Sequence, residues 1–313
     1  MSETADRRRR RPRADNRRLL RRAREDVYTM RPIERTARRP TQPNAHGVTA
    51  RINRWYDRRM YIPRVLHRYS ESDFHNLGYW FPETQTRKEA CHNLMEQLLA
   101  FIPSATGTIL DVACGKGATT RYLLNYYSPE AITGINISKK QLKTCRVNAP
   151  LCRFLLMDAT RLKFPAASFD NIICVEAAFH FNTREKFFRE AFRVLKPGGR
   201  LILSDILVAK WAESRSELRD PRNYIRDLHH YRDVCLRVGF ERIEVVDATY
   251  ECWDQSHAHL LQNLDRRFRR MEISPAAYRQ RVKIILGRTR RTRFYLLASM
   301  AKPMECRWRK AFR

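Results

Sequence analysis

Two glycines separated by one residue have a type and spacing that could form a ligand-binding turn. Gly115 and Gly117 follow residues 109–112, a short apolar run of strand type that Asp111 interrupts near its carboxyl end. Helical spacing begins directly afterwards, over residues 118–127. Glycines permit a sharp turn and a close backbone approach, and ligands of open α/β sheets bind at the carboxyl ends of strands near the switch in strand order. The stretch predicts a cofactor cleft, with an ordinary strand-to-helix turn as the simpler alternative.

Three titratable side chains near the ends of later strands are candidates for acid–base chemistry. Glu176 ends a predicted strand at residues 169–176, His180 follows it, and Asp205 lies inside a predicted strand at residues 200–208. A histidine can take a proton near neutral pH, and an aspartate can orient and charge-stabilise the imidazole that does so. A capping or pocket-lining role for His180 is the alternative.

A sheet is needed to bring these residues together, and the hydrophobic pattern predicts one. Predicted strands and helices alternate along the chain, which is typical of βαβ units and a mostly parallel sheet. Strands are expected at residues 109–112, 131–137, 152–157, 169–176, 200–208, 240–247 and 293–301. Helices are expected at residues 87–102, 118–127, 139–147, 184–195 and 227–238, with caps at Ser138 and Thr183 and a stop at Gly239. Residues 249–292 are far longer than a hairpin loop and should contain further helices.

The net charge of +29 is concentrated at the two ends of the chain. Residues 1–70 carry a net +14, residues 71–260 a net +2, and residues 261–313 a net +13. A nearly neutral centre argues against a nucleic-acid-binding core, whereas the Arg-rich ends could contact nucleic acid or another anionic surface. Residues 1–45 combine high charge, low hydrophobicity and four prolines, which predicts a basic disordered tail. Such a tail could be a tether, a membrane contact, an organelle address or a merely solvated segment.

Composition favours a reducing compartment and argues against a membrane span. No apolar run approaches the roughly 18 residues of a membrane-spanning helix, and the first residues lack the apolar stretch of a secretory signal. The eight cysteines form no C-x-x-C pair and are expected to be buried thiols. Cys252, His257 and His259 match no common zinc spacing, so no metal is expected. The expected location is the cytoplasm.

Several motifs together resemble one enzyme family. Residues 111–117, D-V-A-C-G-K-G, are similar to the first motif of class I S-adenosylmethionine-dependent methyltransferases, with Ala113 in place of the first glycine. Five further stretches resemble the same family: F-H-N-L-G-Y-W at 74–80, G-I-N-I-S at 134–138 followed by K-K-Q-L, M-D-A at 157–159, L-K-F-P-A-A-S-F-D at 162–170 and F-R-V-L-K-P-G-G at 192–199. The resemblance is to the small-molecule subgroup, which includes natural-product and sugar O-methyltransferases and sterol and tocopherol C-methyltransferases.

The resemblance implies a Rossmann-like α/β fold, with a seven-stranded, mostly parallel sheet whose last strand is antiparallel and with helices on both faces. Residues 46–104 would form an aromatic and helical cap over the cofactor cleft. Residues 105–313 would form the methyltransferase core, with the segment 249–292 as an insertion near the acceptor side. The implied cofactor is S-adenosyl-L-methionine.

The resemblance also implies the residues of the site. Asn136 and Gln141 would lie near the ribose, although Asn136 lacks the charge of the acidic residue that is usual there, and Asp158 would bind the adenine. The implied cofactor-binding set is Tyr79, Trp80, Asp111, Ala113, Cys114, Gly115, Gly117, Asn136, Ile137, Gln141, Asp158, Ala159 and Glu176. His180 and Asp205 match positions that face the acceptor in similar sugar O-methyltransferases. Glu176 would contact the methyl donor or, with a carbon acceptor, stabilise a cationic intermediate.

The motifs therefore predict methyl transfer to a small-molecule acceptor, a hydroxyl being favoured and His180 being the candidate general base. Holding both reactants in position can supply about 7–11 kcal/mol, and a general base typically adds roughly 10²–10⁴-fold. An RNA or protein methyltransferase tethered by its basic ends is the second hypothesis, although E-A-A-F at 176–179 is unlike the N-P-P-Y type motif of base methylation. A non-catalytic cofactor-binding relative is the third, which the departures at Ala113 and Asn136 allow.

Overall fold

Seven strands form one sheet in the order β3-β2-β1-β4-β5-β7-β6. The computed structural model describes residues 45–62 and 72–304. The strands are β1 (Ile109–Val112), β2 (Ile132–Asn136), β3 (Arg153–Leu156), β4 (Phe169–Val175), β5 (Leu195–Val208), β6 (Glu241–Asp247) and β7 (Thr292–Ala301). Neighbours from β3 to β5 pair in parallel, and β7 runs antiparallel between β5 and β6. The predicted Rossmann-like sheet with an antiparallel last strand is confirmed.

Helices cover both faces of this sheet and bury two apolar layers. They are α1 (Ala45–Arg59), α2 (Arg87–Leu99), α3 (Ala118–Leu123), α4 (Lys139–Asn148), α5 (Arg184–Val194), α6 (Lys210–Ser214), α7 (Leu228–Val238), α8 (Gln255–Arg269) and α9 (Pro275–Thr289). Successive strand residues point to opposite faces, so Ile173 of β4 lies in the layer under α2, whereas Ile172 and Cys174 lie in the layer under α5. Burial on both faces explains the continuous apolar runs of these strands.

The helix ends follow the sequence signals in most places. The Ser138 and Thr183 side chains cap α4 and α5, and Gly239 ends α7 with a φ of 110°. The helix predicted at residues 118–127 ends at Leu123, since Asn125 and the Ser128-Pro129 pair disfavour its continuation.

The strand predicted at residues 200–208 begins five residues earlier than expected. Leu195 already pairs with Phe169 of β4 before the chain passes through the turn that leads to Arg200. The turn predicted at residues 195–199 is therefore part of β5.

The predicted insertion at residues 249–292 consists of a π-helical turn, Thr249–Asp254, and the α8–α9 hairpin. The predicted basic tail lies outside the described residues except for Ala45, which begins α1. No helix in the described ranges combines the length and the apolar character that a membrane span needs. The boundary between a cap at residues 46–104 and a core at residues 105–313 stays a prediction.

Candidate active site

A cleft lies at the carboxyl ends of β1 to β4, with α1 forming part of its wall. Residues from all four strand ends and from α1 line it. It lies at the switch in strand order, where β1 pairs with β2 on one side and with β4 on the other. Ten of the sequence-predicted site residues line it: Ala113, Cys114, Gly115, Asn136, Ile137, Gln141, Asp158, Ala159, Glu176 and His180.

The turn after β1 has three residues in the left-handed backbone region. Ala113, Gly115 and Gly117 have φ angles of 59°, 56° and 86°. Among the described atoms, a Cβ added at Gly115 would meet only Met60 Cε, at 3.8 Å. A Cβ at Gly117 would come within 3.0 Å of Cys145 Cα, and this glycine is not part of the described lining. Gly115 therefore lets a ligand approach the backbone, whereas Gly117 lets α3 pack against α4.

The side chain of Asn136, at the end of β2, is hydrogen-bonded to other groups of the protein. Its amide group donates to the carbonyl of Gly115 at 3.2 Å and to Oε1 of Gln141 at 3.0 Å, and its Oδ1 accepts from the Ser138 backbone N–H at 3.0 Å. Gln141 Nε2 donates in turn to Asp57 of α1 at 3.0 Å. Because an amide has two donor protons, both of those of Asn136 are used. The network joins β2 to α1.

Asp158 and Ala159 follow β3 and lie on the same wall as Ile137. The Oδ1 atom of Asp158 accepts from the backbone N–H and from the hydroxyl of Thr160, both at 2.8 Å. These bonds fix the carboxylate and leave it able to accept a further hydrogen bond from a ligand.

Glu176 follows β4 in a left-handed conformation with a φ of 50°. Its Oε1 accepts from the Leu77 backbone N–H at 2.6 Å and from the Tyr295 hydroxyl at 2.8 Å. Burial raises the pKa of Glu176 to about 7, and these two hydrogen bonds and the charge of Arg87 limit the rise. The carboxyl group is thus close to its midpoint at neutral pH, and it connects the N-terminal segment with β7.

His180 lies at the end of a 3₁₀ turn, Ala178–His180, with both ring nitrogens bonded. Its Nδ1 lies 2.8 Å from the Leu218 carbonyl, which can only accept, so Nδ1 bears the proton. Nε2 is therefore the unprotonated nitrogen, and the Tyr56 hydroxyl donates to it at 2.8 Å. Burial and then the charge of Arg219 lower the pKa of His180 to about 3. The cleft wall thus presents a neutral imidazole with a hydroxyl bound at its lone pair.

The expected pair of His180 and Asp205 does not form. Asp205 is fully buried, and Nε and Nη2 of Arg184 donate to its carboxylate at 2.6 and 3.1 Å. The Tyr231 hydroxyl donates to the same carboxylate at 3.2 Å. The expectation that Asp205 faces the acceptor is corrected: this carboxylate is committed to a guanidinium that is buried with it and needs a counter-ion.

Tyr79, Trp80 and Asp111 also lie outside the described lining of the cleft. Asp111 is buried within β1 and accepts from the Thr120 hydroxyl at 2.6 Å; burial raises the pKa of Asp111 to about 7, and this hydrogen bond limits the rise. The Trp80 ring packs against His259 of the insertion, with 4.5 Å between ring centres. Of these three, Asp111 is held within β1 and Trp80 against the insertion, so neither faces the cleft in the described arrangement.

The contribution of α1 to the site was missed by sequence reasoning. Thr49, Ile52, Asn53 and Tyr56 all line the cleft. The available signal was the aromatic enrichment of residues 46–82, which predicted packing over the cleft and no particular contact. Helical spacing places these four residues on one face of α1.

Two further groups in the cleft were not predicted. His75 is neutral, because burial and then the charge of Arg87 lower its pKa to about 3. Lys116 donates to the carboxylate of Asp73 in an ion pair. His75 is thus neutral, and the charge of Lys116 is already paired within the cleft.

His257 and the described cysteines are packed within the fold and are not grouped as metal ligands. No group of three or more His, Cys, Asp or Glu side chains in the described part of the chain is arranged to hold a metal ion. His257 stacks on Trp253 with ring centres 4.4 Å apart. The seven described cysteines are all buried and form no disulfide with one another.

Comparisons with known proteins agree with this geometry. A family profile described as a methyltransferase domain matches residues 110–203. Erythromycin 3''-O-methyltransferase of Saccharopolyspora erythraea is 33% identical over 155 residues, which cover 47% of this chain and 51% of that protein. An O-methyltransferase of Pyrenophora dematioidea is 34% identical over 194 residues, which cover 56% of this chain and 70% of that protein. This chain spans about half the length of the first of these two relatives.

The fold is shared with solved structures at lower identity. Phosphoethanolamine N-methyltransferase 2 of Haemonchus contortus, in complex with phosphomonomethylethanolamine and S-adenosylhomocysteine, matches with a TM-score of 0.60 and 20% identity. The match covers 80% of this chain and 60% of that one. At this identity the similarity concerns the fold, and the chemistry has to be argued from the residues of the cleft.

Proposed function

Because the chain belongs to the S-adenosylmethionine-dependent methyltransferases, we propose that it transfers the methyl group of this cofactor to a hydroxyl group of a small-molecule acceptor. The cofactor supplies an electrophilic methyl group on a sulfonium centre. The residues of the chain then have to position the two reactants and accept one proton. The relatives support a small acceptor, since the first is named for O-methylation of erythromycin.

The residues of the cleft fit a nucleoside-containing cofactor. The open approach at Gly115 suits a ligand in contact with the backbone. Gln141, Asp158 and Ala159 line the wall formed by the ends of β2 and β3 and would hold the ribose and adenine. Asn53 lines this wall, and its Oδ1 has no hydrogen bond from the described residues, so it could accept from a ligand once its amide turns toward the cleft.

The single observation that carries the hydroxyl assignment is the hydrogen bond between Tyr56 and His180. In this bond the Tyr56 hydroxyl lies 2.8 Å from the unprotonated Nε2, which supports an acceptor hydroxyl binding at the same place. An acceptor hydroxyl that displaces Tyr56 would donate the same hydrogen bond, and its proton would pass to Nε2 as its oxygen bonds to the methyl carbon and the bond from that carbon to sulfur breaks, leaving S-adenosylhomocysteine. The burial and the charge of Arg219 that lower the pKa of His180 also make it a weak base, so positioning would contribute more than proton transfer.

The polarity of the cleft favours an uncharged acceptor. Apolar side chains form much of the lining near α1: Ile52, Met60, Phe74 and Phe181. Among the described lining residues, Lys116 is the one lysine or arginine, and it is paired with Asp73. A phosphorylated acceptor would therefore lack an uncommitted cation in the described lining, whereas a neutral hydroxyl compound would not need one.

The test compares His180→Ala with a control on α7. Methyl-labelled S-adenosylmethionine and a fractionated extract of the source cells identify an acceptor fraction with the wild-type protein. At neutral pH we expect His180→Ala to lower turnover about 10²-fold and to leave the Kd for S-adenosylhomocysteine unchanged. His229→Ala, outside the described lining, should change neither.

The pH profile provides a second readout of the same proposal. Because the pKa of His180 is about 3, any loss of wild-type turnover near pH 6.5 should also occur in His180→Ala, since Glu176, with a pKa of about 7, lines the same cleft. Unaltered turnover of His180→Ala would exclude the base while leaving the methyltransferase class intact. Label found in RNA or protein instead of the small-molecule fraction would overturn the acceptor class.

An RNA or protein methyltransferase held by its basic ends is the alternative, and one observation favours it. The α8–α9 hairpin and its flanks expose nine basic side chains: Arg266, Arg267, Arg269, Arg270, Arg279, Lys283, Arg288, Arg290 and Arg291. The two acidic residues of this hairpin, Asp265 and Glu272, accept from Tyr278 and Arg267. Six to ten phosphate contacts would cost roughly 10³–10⁵ in affinity between 50 and 200 mM salt, so methylation that survives this change argues against such a tether.

A further inference from the structure

Asn53, on the face of α1 that lines the cleft, carries a buried acceptor atom without a donor. Its Oδ1 is buried and accepts no hydrogen bond from the described residues. Its Nδ2 reaches the Ile137 carbonyl at 3.5 Å, a long and weak contact. Buried carbonyl oxygens in folded proteins almost always have a partner. The side chain lines the cleft, and turning its amide toward the cleft would give up only the weak contact with Ile137. A donor from a bound ligand could then satisfy Oδ1.

The neighbours of Asn53 place it on the nucleoside side of the cleft. Ile137 directly follows β2, next to Asn136 and across from Gln141. The Oδ1 of Asn136 already accepts from the Ser138 backbone N–H, and the Oε1 of Gln141 accepts from Asn136 Nδ2. Of these three neighbouring amide oxygens, that of Asn53 is the one without a hydrogen bond from the described residues.

α1 is fixed in this position by a residue one turn further along. The carboxylate of Asp57 accepts from the Ser138 hydroxyl and from Gln141 Nε2, and Asp57 lies four residues after Asn53 on the same helical face. The position of Asn53 is thus held by bonds that do not involve its own Oδ1. Oδ1 of Asn53 therefore lacks a partner although the helix that carries it is held in place by the bonds of Asp57.

We propose that Asn53 is a cofactor-binding residue contributed by α1, with its Oδ1 accepting a hydrogen bond from a ribose hydroxyl or the adenine amino group of S-adenosylmethionine. The inference rests on the proposed function through its cofactor. α1 would then contact both reactant sites, because Asn53 would bind the cofactor and Tyr56 of the same helix bonds to His180 on the acceptor side. The cofactor half and the acceptor half of the cleft then share one helix.

The experiment compares three variants of α1 by isothermal titration with S-adenosylhomocysteine, in the absence of acceptor, and by thermal unfolding of the ligand-free protein. Asn53→Leu keeps a similar volume and removes the acceptor atom. We expect its Kd to rise about three- to tenfold, as for the loss of one hydrogen bond, with no decrease in the ligand-free melting temperature. Asp57→Ala, which removes the partner of Ser138 and Gln141, should lower that melting temperature. Arg54→Ala, an exposed neighbour, should change neither quantity.

Each other result overturns the inference in a distinguishable way. An unchanged Kd for Asn53→Leu, with wild-type binding intact, would exclude the contact and leave the cofactor assignment standing. A fall in the ligand-free melting temperature equal to that of Asp57→Ala would make Asn53 a packing residue. No binding by the wild-type protein would overturn both this inference and the proposed function.

Discussion

Alanine substitution at Gly115 and at Gly117 should separate ligand contact from packing in the turn after β1. Either alanine would adopt a left-handed backbone, at a cost of about 1–2 kcal/mol in the free energy of unfolding. At Gly115 the new Cβ meets Met60 Cε at 3.8 Å, an ordinary contact, so this backbone cost should be the whole loss of stability. At Gly117 the Cβ comes within 3.0 Å of Cys145 Cα. Overpacking of this kind adds about 1–3 kcal/mol, so the total should be about 2–5 kcal/mol.

Ligand affinity should change in the opposite order. Gly115 lines the cleft, so a methyl group there would occupy the approach of the cofactor, and we expect the Kd for S-adenosylhomocysteine to rise at least about tenfold, or about 1.4 kcal/mol. For Gly117→Ala we expect a larger loss in the free energy of unfolding than in the free energy of binding S-adenosylhomocysteine. Urea unfolding of the ligand-free variants and isothermal titration measure the two quantities.

Gly287→Ala is the matched control for this pair. Gly287 lies within α9 with no described atom within 4 Å of an added Cβ. Its replacement should stabilise the protein by up to about 1 kcal/mol through helix propensity and leave affinity unchanged. The reasoning is refuted if Gly115→Ala binds like the wild type, or if Gly117→Ala is no less stable than Gly115→Ala.

Three further predictions concern single side chains. Asp205→Asn removes the counter-ion of the buried Arg184, so we expect a loss of about 3–5 kcal/mol in urea unfolding; a stable variant that had lost turnover would instead support a catalytic role for Asp205. Ala113→Gly should stabilise the protein by up to about 1 kcal/mol, because it relieves a left-handed alanine with a φ of 59°; a lower melting temperature would contradict this. Burial raises the pKa of Glu176 from 4.5 to about 7, so the folded state holds a proton that the unfolded state releases between these values. The stabilisation is present below pH 4.5 and is lost as the pH rises to 7, so Glu176→Gln should gain about 1–3 kcal/mol relative to the wild type between pH 5 and 8. A constant difference across this range would show that the pKa of Glu176 is not raised.

The sheet could be predicted from the sequence because each strand has a local apolar pattern. The run at residues 109–112 is apolar apart from Asp111 and buried throughout, and the glycine turn after it marks where the strand ends. The cleft followed from the same local pattern, since a parallel sheet places the ends of its strands along one edge. Ala113, Gly115, Asp158 and Glu176 accordingly line the cleft as expected.

Contacts between residues distant in the sequence could not be predicted in this way. Tyr56 and His180 are 124 positions apart, and no local pattern indicates that their side chains meet. Asp205 matched an acceptor-facing position, but its partner Arg184 lies on another element, and only the fold shows that the two are buried together. Asn136 stands at the expected place for a ribose contact, yet its amide protons are committed to Gly115 and Gln141.

The most direct test of the central claim is the fate of the methyl group of labelled S-adenosylmethionine incubated with the purified protein and a fractionated extract of the source cells. The account predicts label in a neutral small-molecule product, in which the methyl group is bound to an oxygen that was a hydroxyl in the acceptor. It also predicts loss of that label with His180→Ala at neutral pH. Label in RNA or protein, or a product methylated on nitrogen or carbon, would contradict the account.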